Sequence, residues 1–162
     1  GPQRGGRIEV EGIEISQGGE AWAIRELDSV EIVGEGEAEP FVALVRGVHL
    51  RAPDRKPVLR VNWYYRGGDA AEMGWRPGAP ARVAQMRRGR ELLLSLHEDE
   101  VEAATVARRI DVRVAAQGQG RGQPPPQRPN YVCHEVYDVG DSASFSVEGV
   151  GDRFSARFAK LV

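Results

Sequence analysis

Residues 41–65 read FVALVRGVHL-RAPDRK-PVLRVNWYY and decide the fold. Two runs rich in β-branched and aromatic residues flank a short turn containing Pro53, which is the pattern of an antiparallel hairpin. Similar runs recur on both sides. RIEVEGIEI (7–15) alternates Ile8, Val10, Ile13 and Ile15 with charges and breaks at Gly12, predicting an edge strand with one solvated face. EAWAIR (20–25) predicts a short strand carrying Trp22. ELLLSL (91–96) reads as a buried strand, IDVRVA (110–115) alternates strictly, and YVCHEVYD (131–138) is a further strand. Weaker strands over 143–147 and 153–158 close the chain. Residues 26–40 read as an acidic surface loop, and EDEVEAATVARR (98–109) as at most one or two helical turns. Residues 66–90 form a long Gly-, Pro-, Ala- and Arg-rich loop, and QGQGRGQPPPQRP (117–129) is a low-complexity loop insertion. Short strands, long loops and little helix predict an all-β barrel or sandwich.

Composition narrows the function. The 162 residues, 41% hydrophobic and 28% charged, are enough for one domain whose core needs no metal or disulfide staple. With 22 Lys and Arg against 24 Asp and Glu, the net charge of −2 disfavours nucleic acid as the primary partner. A single cysteine, Cys133, excludes an internal disulfide framework and a Cys-rich zinc site. No apolar run approaches the ~20 residues of a membrane-spanning helix, so a soluble, intracellular protein with no membrane partner is expected. Gly1-Pro2 resembles the scar of a protease-cleaved tag. Residues 1–6 are therefore read as a flexible N-terminus, and 7–162 as a single domain cut from something larger.

No catalytic constellation is found. His49, His97 and His134 lack metal-ligand spacing, and no nucleophile elbow, P-loop or dinucleotide fingerprint occurs. Cys133 and His134 are adjacent in one strand and point to opposite faces, so they form no dyad. Cys133 reads as a small buried hydrophobe. No catalytic residue, metal, cofactor or small-molecule substrate is expected, which leaves a binding module.

Asn62-Trp63-Tyr64-Tyr65-Arg66 stands apart. Residues i and i+2 share a strand face, so Trp63 and Tyr65 project together and Tyr64 points the other way. With Tyr64 toward the core, Trp63 and Tyr65 form an exposed pair at the mouth of the loop beginning at Arg66. The hairpin brings Phe41 near them, but only an even pairing sum puts all three rings on one face, and turn length leaves the parity open. Three rings followed by the Asp69 carboxylate suit a methylated ammonium ion. Such an ion is cheap to desolvate and drawn to ring faces by about 0.5–2 kcal/mol per ring. The competing reading makes Trp63 and Phe41 ordinary core.

PFVALV (40–45), VNWYYR (61–66), ELLLSLHED (91–99), IDVRV (110–114) and YVCHEVYD (131–138), in that order, resemble the bromo-adjacent homology (BAH) domain over roughly residues 18–140. Gly67 stands where the family has Pro after WYYR, the loop from 67 to 90 is longer, and 117–129 is an insertion; no core motif is lost. The resemblance implies a partly open all-β barrel with long loops and little helix, used in nuclear proteins as an interaction or chromatin-reading module. It implies a methyl-lysine cage of Phe41, Trp63 and Tyr65 assisted by Asp69, with His97 and Asp99 contacting the peptide. The Phe-Trp-Tyr combination is similar to that of plant-type chromomethylase BAH domains, which read methylated lysine in the histone H3 tail. The partners so implied are a methylated histone tail, H3 favoured, the nucleosome and other chromatin proteins, in epigenetic gene silencing in the nucleus. The alternative is a BAH scaffold or nucleosome-docking module without methyl-lysine recognition. Plainer readings stay open for single residues. His97 satisfies a loop carbonyl, Asp99 caps a helical segment over 100–108, and Trp22 and Tyr137 lie in the core. Arg82, Arg87, Arg88 and Arg90 belong to a solvated loop or touch nucleosomal DNA, and Trp75 covers the core or flanks the peptide groove.

Overall fold

A computed structural model describes residues 6–34, 36, 39–66, 69, 91–114, 130–138 and 143–146. Nearly all of these are strand: β1 (Arg7–Val10), β2 (Gly12–Gln17), β3 (Glu20–Arg25), β4 (Ser29–Ile32), β5 (Phe41–Arg51), β6 (Lys56–Tyr65), β7 (Glu91–Glu102), β8 (Val106–Ile110), β9 (Val112–Val114), β10 (Tyr131–Asp138) and β11 (Ala143–Ser146), with a 3-10 turn at Ala103–Thr105. The chain divides into two compact units, Gly1–Trp63 with Glu98–Ile110, and Tyr64–His97 with Asp111–Val162. Strands β6 and β7 contribute residues to both.

The first unit is organised by β5. One edge carries β4 along its first residues, with Ile32 opposite Phe41, and β1 along its last, with Arg7 opposite Arg51. Its other neighbour is β6, completing the expected hairpin, and β8 flanks β4. Strands β2 and β3 form a separate two-stranded sheet. The break expected at Gly12 thus sends β1 and β2 to different sheets. A Cβ at Gly12 would lie 2.8 Å from the Ile24 carbonyl oxygen, so this close pairing requires glycine. Gly6, last residue of the segment read as a flexible N-terminus, accepts a hydrogen bond from the Ala52 N–H at 2.6 Å.

Ile24, Val30, Ile32, Ala43, Val45, Leu59, Val61 and Val106 supply the core of this unit, and Trp22 packs half-buried against it. Burying each large aliphatic side chain contributes about 1.5–3 kcal/mol. Two expectations are corrected here. Residues 26–40 are more than an acidic loop: Ser29–Ile32 form β4 with every residue buried, because Val30 and Ile32 join the core and Arg108 pairs Glu31. Residues 98–109 are mostly strand, with helical geometry confined to the 3-10 turn. Alternation along β7 explains this. Glu100 ion-pairs with Arg7, and Glu102 with Arg51 and Lys56, on one face, while Val101 packs on the core from the other.

In the second unit β7 pairs parallel with β10, with a bulge between Cys133 and Glu135. Strand β10, which coincides with the expected strand over 131–138, also pairs antiparallel with β11 and parallel with β9. Leu92, Leu93, Leu94, Val136 and Tyr137 are buried, as expected for Tyr137. The sheets do not close, and the described residues form an all-β, partly open fold with little helix. Residues 70–90 of the long loop, including Trp75, Arg82, Arg87, Arg88 and Arg90, the insertion 117–129 and the strand expected over 153–158 lie outside the described residues.

Candidate functional site

Strand β6 is covered on both faces. Asn62 and Tyr64 are buried on one side, Tyr64 at 4% exposure, so Tyr64 points inward. The opposite side is core as well: Leu59 and Val61 are buried, and Trp63 packs half-buried against the same cluster. On β5 the matching face runs Val45, Ala43, Phe41 and ends with Phe41 at 55% exposure. A stripe of core therefore emerges at the surface and ends in two rings. Phe41 and Trp63 meet edge to face, centroids 5.8 Å apart and planes at 62°. Their contact across the hairpin puts both on one face and settles the parity that the turn length left open.

Also in the first unit, the Trp63 Nε1–H donates to Asp99 Oδ2 at 3.3 Å, and Asp99 Oδ1 accepts the Glu100 N–H at 2.8 Å. Asp99 lies inside β7 and caps no helix; the 3-10 turn is preceded by Glu102, with no side-chain cap. Arg46, buried in β5, donates to Asn62 Oδ1 at 2.9 Å beneath the hairpin. Burial lowers its pKa, while Glu98 pulls the other way.

In the second unit the half-buried Tyr65 hydroxyl lies 2.8 Å from His97 Nδ1, and the His97 N–H donates to Ser95 Oγ at 3.2 Å. Asp69 is exposed. The Arg66 guanidinium stands 5.5 Å from the Tyr131 ring centroid and donates to its hydroxyl at 3.4 Å. Sequence reasoning did not foresee that Asp99 and His97 each bond an aromatic side chain. Their i, i+2 spacing was the available signal, since it puts both on one face of a strand.

Among the described residues, no three His, Cys, Asp or Glu side chains stand close enough to hold a metal ion, and no helix is long and apolar enough to cross a membrane. The Cys133 thiol is buried, and that burial pushes its pKa up to about 12.

No protein-family profile and no curated protein matches the sequence. Among solved structures, the crystal structure of the yeast Rsc2 BAH domain superposes with a TM-score of 0.61 at 14% identity, covering 89% of this chain and 57% of that chain. The fold is a BAH fold. This chain thus spans little more than half the length of the neighbour. Within the BAH fold described here, the WYY motif is the end of β6, and His97 and Asp99 lie in the second half of β7.

Proposed function

We propose that this BAH domain is a nuclear chromatin module that binds a methylated lysine of a histone tail, histone H3 first among them. Phe41, Trp63 and Tyr65 enclose the methylammonium group, Asp69 supplies negative charge, and His97 and Asp99 hold the flanking peptide. The carrying observation is the Phe41–Trp63 pair, an exposed ring set edge to face on a half-buried indole where a core stripe reaches the surface. Tyr65 follows Trp63 by two residues in β6, and the strand period turns its ring to the same side.

Methyl selectivity in such a cage comes from desolvation. An unmodified ammonium loses strong water contacts among rings that offer few acceptors, whereas a trimethylammonium has none to lose. Three rings at about 0.5–2 kcal/mol each, less the ordering of the peptide, correspond to a Kd on the order of micromolar to tens of micromolar. The Asp69 carboxylate favours the N–H that dimethyllysine retains, so dimethyllysine binds as well as trimethyllysine or slightly better.

A second reading, a BAH scaffold or nucleosome-docking module without methyl-lysine recognition, draws on the packing of Trp63 against the core, which serves stability alone. Titration calorimetry with unmodified, mono-, di- and trimethylated H3 peptides separates the two. Affinity that rises with methylation supports the cage, and equal affinity for all four leaves the scaffold.

A further inference from the structure

We infer that Asp99 is a positioning residue for the Trp63 indole: its carboxylate, fixed at both oxygens, anchors the ring by its edge and leaves the ring face open for a cation. This role rests on the methyl-lysine reading above. The Glu100 N–H holds Oδ1 at 2.8 Å and the Trp63 Nε1–H reaches Oδ2 at 3.3 Å, so the acceptor is immobilised by its own strand before it meets the indole. Strand alternation gives it this direction. Val101, two residues on, packs against the core on the aromatic side, while the neighbouring Glu100 turns to Arg7 on the other.

The chemistry of the indole makes the contact useful. Its N–H lies in the ring plane, so a hydrogen bond there restrains rotation of the side chain without covering either π face. Phe41 meets the same ring at 62°, giving a second restraint. A carboxylate at the ring edge also adds negative potential where a cation would sit. Each Asp99 oxygen has one acceptor site engaged and one left over. The indole anchor is the larger part of its contribution to binding, and the direct contact with the flanking peptide proposed above is the smaller.

A double-mutant cycle tests the role with H3 tail peptides that each carry one dimethyl- or trimethyllysine. Asp99→Ala is expected to weaken methyl-dependent binding about tenfold in the otherwise unchanged domain, as loss of a charge-assisted hydrogen bond does. In a Trp63→Phe background the same change is expected to alter affinity by less than about twofold, because the donor it serves is gone. Asp99→Asn, which keeps an acceptor for the indole, should stay within about threefold of the parent. The Trp63 indole N–H resonance should shift in Asp99→Ala while thermal melting shows the domain folded. Equal losses in both backgrounds, an unmoved indole resonance, or Asp99→Asn as weak as Asp99→Ala would overturn the positioning role while leaving the cage intact. Binding by the parent domain that ignores methylation would overturn the cage reading itself, and this role with it.

Discussion

Glu31 of β4 accepts two hydrogen bonds from the Arg108 guanidinium, from Nε at 3.0 Å and from Nη2 at 2.9 Å, directly across the β4–β8 pair. The burial is lopsided: the Glu31 side chain is 8% exposed and that of Arg108 61%. Removing the arginine strands a buried carboxylate, whereas neutralising the glutamate leaves a guanidinium that water can solvate. Arg108→Ala is therefore expected to cost about 1.5–3 kcal/mol and Glu31→Gln only about 1 kcal/mol. Urea denaturation of the two variants measures the difference, and a larger cost for Glu31→Gln would refute the asymmetry.

A pH dependence follows from His49, which sits at 2% exposure in β5, opposite Glu9 of β1. Burial, reinforced by Arg7, lowers its pKa below 6.5, although Glu100 and Glu9 act to raise it. The folded chain thus keeps this imidazole neutral at pH values where the unfolded chain protonates it. Stability gained from His49 is present above the unfolded value of about 6.5 and is lost as pH falls below it. His49→Gln should reduce the stability difference between pH 7.5 and pH 5.5 measured by chemical denaturation. An unchanged difference would remove His49 from the account.

Cys133 supplies a third test. Its thiol lies within β10, donates to the Glu135 carbonyl at 3.4 Å, and has a pKa of about 12 because burial disfavours the thiolate. Native protein at pH 8 should react with a disulfide reagent only as fast as it opens, and in guanidinium one thiol per chain should react at once. Prompt labelling of the native protein would contradict the burial of β10.

How much of this was legible in the sequence depends on where each residue's partner lies along the chain. The hairpin of β5 and β6 was readable because its pairing is local, and β10 because YVCHEVYD carries a strong strand composition. Strand β4 was hidden by its acidic surroundings. Glu31 is tolerable in a buried strand only because Arg108, 77 residues later, neutralises it, and no local pattern shows that. The second half of β7 misled in the same way. The loose spacing of Val101, Ala104 and Val106 suggested helical turns, yet Glu100 and Glu102 meet Arg7, Arg51 and Lys56 from the distant start of the chain and from the hairpin, as a strand face does. In the candidate site, strand spacing pointed to Trp63 and Tyr65 on a shared side, with Phe41 near them and Asp69 following, and the family resemblance added His97 and Asp99. The place of Phe41 depended on hairpin parity, a one-residue question that composition cannot answer. The bonds from Trp63 to Asp99 and between Tyr65 and His97 required the strands to be in register first.

Of the two rings in contact, Phe41 and Trp63, only one can be removed without disturbing the core. Trp63 is a poor choice by itself, since it packs against Leu59 and Val61's cluster and hydrogen-bonds Asp99. Trp63→Ala should cost about 2–4 kcal/mol whether the domain reads methyl-lysine or merely holds a partner, because a half-buried indole leaves a cavity either way. Phe41 discriminates. Its ring is 55% exposed, so Phe41→Ala should cost less than about 1 kcal/mol and leave the melting temperature within a few degrees of the parent. If the cage reading holds, the same change should weaken methylated-peptide binding by about tenfold, since one cation–π face and its water-excluding wall are lost. Phe41→Tyr keeps the face and should retain most of the affinity. Calorimetry on these two variants, beside their melting curves, separates binding from stability. A Phe41→Ala domain that binds methylated and unmodified H3 peptides as the parent does would take Phe41 out of the site and leave its exposed ring unexplained.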